Sequence, residues 1–258
     1  MSIVTSNRRP VVAIEGLSKT FDTGPAIENL SFEVGDKEFV SLVGPSGCGK
    51  STLLRLVSGL IAPTRGSVRV REKVVRGPLV GVGMVFQAPV LLPWRSTLAN
   101  VLFTAEMRGE RAERYRARAA ELIKLAGLEG FEARLPHELS GGMQQRVAIC
   151  RALLLDPSLL LMDEPFGALD IITRERMGFE LQKIWSAARN TVLFVTHSIT
   201  EAVLLSDRVV VMSARPGRLK AEIAIDLPRP REVKTLSHPR FVALAAQVRD
   251  NIEAKWAE

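Results

Sequence analysis

Apolar residues recur along this chain in two rhythms, and the switch between them divides it. The opening stretch carries short runs of strand length: Val11-Val12-Ala13-Ile14, Leu30-Ser31-Phe32-Glu33-Val34 and Phe39-Val40-Ser41-Leu42-Val43. Runs of this kind, rich in β-branched and aromatic residues, predict strands. A helical stretch then stops at Ser58-Gly59, and strands return at Ser67-Val68-Arg69-Val70 and across residues 80–86. From about residue 97 to 155 the spacing is helical and almost nothing reads as strand. Beyond it the elements alternate. A strand at Leu159-Leu160-Leu161-Met162 precedes a helix over 173–188 that Gly178 interrupts, strands follow at 191–195 and 208–212, and a last helix lies near 239–256. Alternation of strand and helix predicts an α/β fold with a largely parallel sheet covered by helices. The all-helical middle reads as an inserted subdomain.

The third strand runs into Gly44-Pro45-Ser46-Gly47-Cys48-Gly49-Lys50-Ser51-Thr52. This fits G-x-x-x-x-G-K-[ST] with a strand before it and a helix after, the context that the phosphate-loop pattern requires. Its glycines let backbone amides turn inward around phosphate oxygens, and the helix from Lys50 aims its positive dipole end at them. Lys50 then reaches the β- and γ-phosphates, and the Ser51 hydroxyl holds Mg2+. The expectation is a site for a nucleoside triphosphate. Cys48 sits near that helix start, an environment that lowers thiol pKa and raises reactivity.

Two later stations add to this. The apolar run 159–162 ends in Asp163-Glu164. A continuous apolar run is how a buried parallel strand reads, and ligands gather at the carboxyl ends of such strands. Alone, two acids there are often turn residues. Paired with the phosphate loop, Asp163 meets Mg2+ through water, and Glu164 orients and deprotonates a water attacking the γ-phosphate. Between these stations lies Leu139-Ser140-Gly141-Gly142-Met143-Gln144-Gln145-Arg146, which opens a helix. Ser140 is a good N-cap. Two glycines in a first turn cost roughly 1 kcal/mol each, a loss that makes sense where an anion must approach the backbone.

Composition narrows the setting. Hydrophobic residues make up 47% of 258, enough for one large domain or one domain with an inserted subdomain. No apolar run approaches the ~18 residues of a membrane span. The start, Met1-Ser2-Ile3-Val4-Thr5-Ser6-Asn7-Arg8-Arg9-Pro10, lacks the apolar segment and cleavage site of a secretory signal. Two cysteines, one of them in the phosphate loop, make no disulfide framework and fit a reducing cytoplasm. The net charge of +7 is spread along the chain. Its densest run, 108–118, is broken by Glu110 and Glu113 and lies where Tyr115, Ala119, Leu122, Ile123 and Ala126 recur at helical spacing. It reads as a solvated helix face and not as a nucleic-acid patch. Nearby anionic lipid headgroups are another reason for a basic surface.

Leu139-Ser140-Gly141-Gly142-Met143-Gln144 resembles the signature sequence of the ABC (ATP-binding cassette) ATPases. The other stations are similar to that family in order and spacing over nearly the whole chain. Phe21 matches the aromatic residue that stacks on adenine, and Gln87 matches the glutamine loop. Ala168-Leu169-Asp170 matches the D-loop, and His197 in Thr196-His197-Ser198 the switch histidine. The resemblance implies a P-loop NTPase with a RecA-like core, an N-terminal antiparallel β-subdomain and a helical subdomain at about 95–155. All of this forms one ABC ATPase domain over 1–258 with no C-terminal regulatory domain. It implies ATP and Mg2+, with Ser51, Gln87 and Asp163 toward the metal and Glu164, His197 and Gln87 serving hydrolysis. Phe21, the loop from Gly44 to Thr52, Ser140, Gly141, Gly142, Gln144 and Asp170 contact nucleotide.

By the same resemblance, one copy's phosphate loop and another's signature helix close on a shared ATP. Two ATPs then hold a head-to-tail dimer that hydrolysis opens. A single copy of each motif means a single cassette. Its implied partners are a second copy of itself, two transmembrane permease subunits and, indirectly, a solute-binding protein, with no nucleic acid. The run from Val85 to Trp94 is most similar to importers of the nitrate, sulfonate and taurine group, which includes carriers of thiamine-precursor pyrimidines. The implied protein is a peripheral ATP-hydrolysing subunit on the cytoplasmic face of the inner membrane. Trp94, between Pro93 and Arg95, lies where this family receives a short helix of the membrane subunit. It reads either as an interface anchor or as a buried satellite-core residue. The alternatives are an exporter ATPase or a DNA-repair-like complex, the latter needing heptads that this chain lacks.

Overall fold

The computed structural model describes residues 10–253. The chain opens with β1 (Pro10–Phe21), β2 (Gly24–Gly35), β3 (Phe39–Val43), α1 (Lys50–Val57), β4 (Arg65–Val70) and β5 (Lys73–Val74). Next come β6 (Val82–Val85), α2 (Thr97–Met107), α3 (Arg116–Leu125), α4 (Gly141–Leu153), β7 (Leu159–Asp163) and α5 (Ile171–Ala188). The last elements are β8 (Thr191–Val195), α6 (Ile199–Leu205), β9 (Arg208–Met212), β10 (Leu219–Ala224) and α7 (Pro239–Glu253). They fall into two compact units, one of residues before 81 and after 190, the other Gly81–Asn190.

In the first unit, β1 and β2 are each twelve residues long, far beyond the predicted runs. Their antiparallel pairing extends from Val12 opposite Val34 to Phe21 opposite Gly24, through several register shifts. Bulges re-aim side chains while pairing continues, so the apolar alternation breaks although the strands do not. β4 pairs with the other edge of β1 and β5 with β4, giving the expected antiparallel β-subdomain. A second sheet in this unit has β3 between β8 and β9, all parallel, with β10 antiparallel on β9. The strands β3, β8 and β9 are buried along their whole length, which is why they read as unbroken apolar runs. β10 was not predicted: it is a half-exposed edge strand carrying Lys220 and Glu222. Nor was α6, whose buried stretch from Glu201 to Leu205 shows no polar face.

In the second unit β6 lies parallel to β7. The strand predicted over 80–86 contracts to Val82–Val85, and Val80 is 87% exposed. The helical middle resolves into α2, α3 and α4. Ala119, Leu122, Ile123 and Ala126 are buried as their spacing predicts. The charges around them pair on the surface, Arg114 with Glu110, Arg116 with Glu113 and Arg118 with Glu121. α5 runs unbroken through Gly178, the residue read as loosening it slightly; that glycine is buried on the helix's packed side. Back in the first unit, α7 buries Phe241, Leu244 and Val248. Its predicted reach to Trp256, and the start Met1 to Arg9, lie outside the described residues. No described helix is long and apolar enough to cross a membrane.

A buried ion pair ties the second sheet of the first unit to the end of β2. Arg208 donates from Nε to Glu38 Oε1 at 2.9 Å and from Nη2 to Oε2 at 3.1 Å. Arg208 also pairs with Glu222 and donates to the Glu33 carbonyl, and Glu38 accepts the Gly35 amide at 2.7 Å. Removing one member of such a pair leaves the other charge buried alone. Arg208→Leu should therefore lower the unfolding free energy by about 3 kcal/mol or more, read as a fall in the urea midpoint. An unchanged midpoint would show that Glu38 needs no such partner.

Candidate functional site

The phosphate loop joins the end of β3 to α1. Gly47 and Gly49 take φ of 73° and 99°, a region that L side chains rarely enter, and Gly49 caps α1 in the left-handed conformation. Helix bonding begins with the Leu53 amide on the Gly49 carbonyl at 2.8 Å. The amides ahead of it point along the axis out of the helix start. Lys50 folds back over the loop, donating from Nζ to the carbonyls of Gly44 at 2.9 Å and Pro45 at 3.0 Å. This buried ammonium closes the loop into a ring. Walls stand on two sides: a Cβ on Gly49 would lie 2.9 Å from the Ala26 carbonyl of β2, and one on Gly44 2.7 Å from the Met212 carbonyl of β9.

The same unit carries Phe21 and His197. Phe21, at the end of β1, is 41% exposed, with the Lys19 ammonium 5.1 Å from its ring centre. The Thr196 amide donates to the Leu42 carbonyl at 3.2 Å. His197 therefore emerges, exposed, beside the strand end that carries the phosphate loop. Its backbone is held from both sides. Thr196 Oγ1 donates to Glu201 Oε2 at 2.5 Å and accepts the Ser198 amide at 3.0 Å, while Ser198 Oγ caps α6 by accepting from the Glu201 amide.

In the second unit, Val85 of β6 lies opposite Met162 of β7, so Gln87 and the pair Asp163-Glu164 leave the sheet side by side. The two acids are half-buried and Gln87 is exposed. Glu164 has φ of 46°, in the left-handed region, which costs a non-glycine residue on the order of 1 kcal/mol. Its carbonyl accepts the Gly167 amide at 3.0 Å, closing a turn. Gln87 reaches that turn: a Cβ on Gly167 would lie 2.9 Å from Gln87 Nε2.

The segment after Gln87 is gripped by residues that the sequence did not single out. On α4, Gln145 donates to the Phe86 carbonyl at 3.1 Å, and Arg151 to the carbonyls of Pro89 and Val90 at 2.9 and 2.8 Å. On α2, the buried Asn100 accepts the Leu92 amide and donates to the Arg95 carbonyl, both at 2.8 Å. The only local signal for Asn100 was a polar residue inside an apolar helical run. The segment presents Trp94, 73% exposed, which removes the satellite-core reading. Arg95 is turned to Glu106 at 2.6 Å and to the Phe103 ring.

Ser140 caps α4 as expected, its Oγ accepting the Met143 amide at 3.3 Å. The two glycines behind it differ. Gly141 is exposed, while Gly142 is buried with a Cβ position 3.2 Å from Thr173 Cγ2 of α5. Helix packing thus supplies a second reason for glycine at 142. Gln144 donates to the carbonyls of Pro136 at 2.9 Å and Leu139 at 3.2 Å, bracing the loop ahead of the helix. Asp170 is the N-cap of α5, accepting the Thr173 amide at 3.0 Å. Hydrogen bonds from Thr173, side chain first and amide second, hold its carboxyl below the usual range.

The expectation for Cys48 is corrected. The thiol is fully buried, and burial pushes its pKa up in spite of the neighbouring Lys50 ammonium. Cys150 is buried too and pushed up to about 12. Only the thiolate attacks, and a raised pKa means less thiolate in the folded than in the unfolded chain. A thiol reagent at neutral pH should therefore leave the folded protein unmodified over the time in which urea-unfolded protein reacts at both cysteines. A fast thiol that nucleotide protects would overturn this.

Comparison with known proteins bears on the chain as a whole. The ABC transporter family matches residues 27–167, more than half of the chain. An uncharacterized ABC transporter ATP-binding protein of Methanocaldococcus jannaschii is 52% identical over 85% of this chain and 84% of its own. The taurine import ATP-binding protein TauB of Jannaschia sp. (strain CCS1) is 42% identical over 93% and 92% of the two chains. Its counterpart of the same name in Burkholderia pseudomallei is 46% identical over 85% and 86%. Among solved structures, an ATP-binding cassette in a dimeric post-hydrolysis state, bound to ADP and Pi, is 33% identical. It superposes with a TM-score of 0.71 over 84% of this chain and 100% of its own. Phosphate loop, strand-end acids and signature helix thus sit in a chain that belongs to the ABC transporter family, as one of its ATP-hydrolysing cassettes.

Proposed function

We propose that this cassette is the ATPase subunit of an importer, the whole chain acting as one ATPase domain on the cytoplasmic face of the inner membrane. Two copies work head to tail beneath two permease subunits, and a solute-binding protein delivers the solute. The solute is a small sulfonate such as taurine, with nitrate and thiamine-precursor pyrimidines as the other members of the class. Relatives named for taurine import, matching over most of the chain, support that choice. The observation that carries the catalytic reading is Glu164, held in a left-handed conformation directly after a buried strand.

In this reading the loop amides and Lys50 hold the β- and γ-phosphates, Lys50 exchanging its carbonyl partners for phosphate oxygens. Phe21 stacks on adenine, and His197 contacts the γ-phosphate. Glu164 takes the proton of the attacking water. Ser140, Gly141, Gly142, Gln144 and Asp170 serve the nucleotide held by the other copy. The Ser51 hydroxyl in the first unit, and the Gln87 amide oxygen and Asp163 carboxylate in the second, are hard oxygen donors of the kind that would hold Mg2+. Among the described residues no group of three or more His, Cys, Asp or Glu gathers to hold a metal. Bound Mg2+ would neutralise charge on the phosphates.

Glu164→Gln should bind ATP with wild-type affinity, lose hydrolysis by about a hundredfold or more, and accumulate as an ATP-dependent dimer on size exclusion. Near-normal turnover in the purified variant would remove Glu164 as the base. Lys50→Ala should instead weaken ATP binding itself.

Trp94→Ala should leave the melting temperature of the isolated subunit unchanged, because the side chain is exposed. Co-purification with the permease should fall, since a hot-spot tryptophan contributes about 2 kcal/mol or more. Vesicles carrying the wild-type complex should take up taurine on ATP, and those with the variant should not. A lowered melting temperature with intact co-purification would end the docking role.

A further inference from the structure

The loop joining β9 to β10, residues 213–218, lies against both the β1–β2 turn and the phosphate loop. Gly217 bridges to β2 in parallel fashion. Its amide donates to the Ala26 carbonyl at 2.9 Å, and its carbonyl accepts the Glu28 amide at 3.0 Å. It is buried so close to the phosphate loop that a Cβ there would collide with the Cys48 carbonyl oxygen. Two residues earlier, Arg215 reaches the other end of the site. Its Nε donates to the Pro25 carbonyl at 3.1 Å and its Nη2 to Thr23 Oγ1 at 3.3 Å. Thr23 belongs to the turn that Phe21 opens, with Phe21 paired to Gly24 across it. The loop is braced internally. Ser213 Oγ donates to the Pro216 carbonyl at 3.0 Å and accepts the Arg218 amide at 2.9 Å. Arg218 in turn pairs with Glu28 at 2.7 Å.

We propose that this loop is a positioning element of the nucleotide site: Arg215 fixes the β1–β2 turn, and with it the Phe21 ring, at a set distance from the phosphate loop that Gly217 abuts. This rests on the reading of Phe21 as the partner of the adenine base. A stacking ring contributes affinity to the extent that its orientation is fixed before the base arrives. Phe21 stands half-exposed at the tip of a hairpin, with the Lys19 ammonium beside its ring and the turn's bonds setting its backbone. Arg215 bonds to the turn and not to the phosphate loop, so its influence falls on the base end of the ligand. The loop thereby spans the two ends of one ligand, which explains why an arginine reaches the turn from a loop that also packs a glycine on Cys48.

The test compares ATP with inorganic tripolyphosphate, which has the phosphates but no base or ribose. Calorimetric affinities are measured for the wild-type chain, Arg215→Ala, Phe21→Ala and the double variant, together with ATPase rates. Arg215→Ala should weaken ATP binding about fivefold, the scale of lost hydrogen bonds in an exposed setting. It should raise KM alike and leave kcat and tripolyphosphate affinity unchanged. The double variant should bind ATP no more weakly than Phe21→Ala alone, because both substitutions remove the same stack. Additive losses, an equal loss for tripolyphosphate, or wild-type affinity in Arg215→Ala would each overturn the proposal while leaving the ATP site intact. A wild-type chain that binds ATP no tighter than tripolyphosphate would overturn the reading of Phe21, and the proposal with it.

Discussion

The Lys50 ammonium is the charge around which the phosphate loop is folded. A buried ammonium requires oxygen partners, and here the carbonyls of Gly44 and Pro45 supply them. Those two bonds turn the carbonyls of Gly44 and Pro45 toward Lys50, while the Cys48 amide donates to the Pro45 carbonyl at 3.3 Å. The close walls of β2 and of the end of β9 then keep the ring from opening.

The second unit is organised around α4. Its first turn holds the signature glycines, its middle holds Gln145 on the Phe86 carbonyl, and its last turn holds Arg151 on Pro89 and Val90. One rigid helix thus joins the signature to the glutamine segment and, with Asn100, to the loop that displays Trp94. On the proposed docking role of Trp94, the path from there to the start of α4 would be no longer than this one helix.

Much of this was legible in the sequence where local chemistry decides the outcome. The buried strands β3, β7, β8 and β9 announced themselves as apolar runs, and the phosphate loop, strand-end acids and Ser140 cap are patterns of adjacent residues. What escaped depends on neighbours distant in sequence. The far halves of β1 and β2 are held by bulged pairing, and β10 by its place at a sheet edge. Cys48 read as reactive because its sequence neighbours favour the thiolate, but tertiary burial wins. Gly142 read as an anion contact, and its packing against Thr173 could not be foreseen. Trp94 stood undecided until its exposure was known. Asn100 and Arg151 bind carbonyls, which carry no side-chain signature at all.

The left-handed backbone of Glu164 has a consequence for how this position changes over evolutionary time. Selection for a sturdier fold would favour glycine there, since glycine takes that conformation freely. On the role proposed above, a carboxylate held on a backbone that disfavours it trades stability for chemistry. If Glu164 is the base proposed above, the substitution in the turn after β7 that relieves the backbone is also the one that removes the reaction.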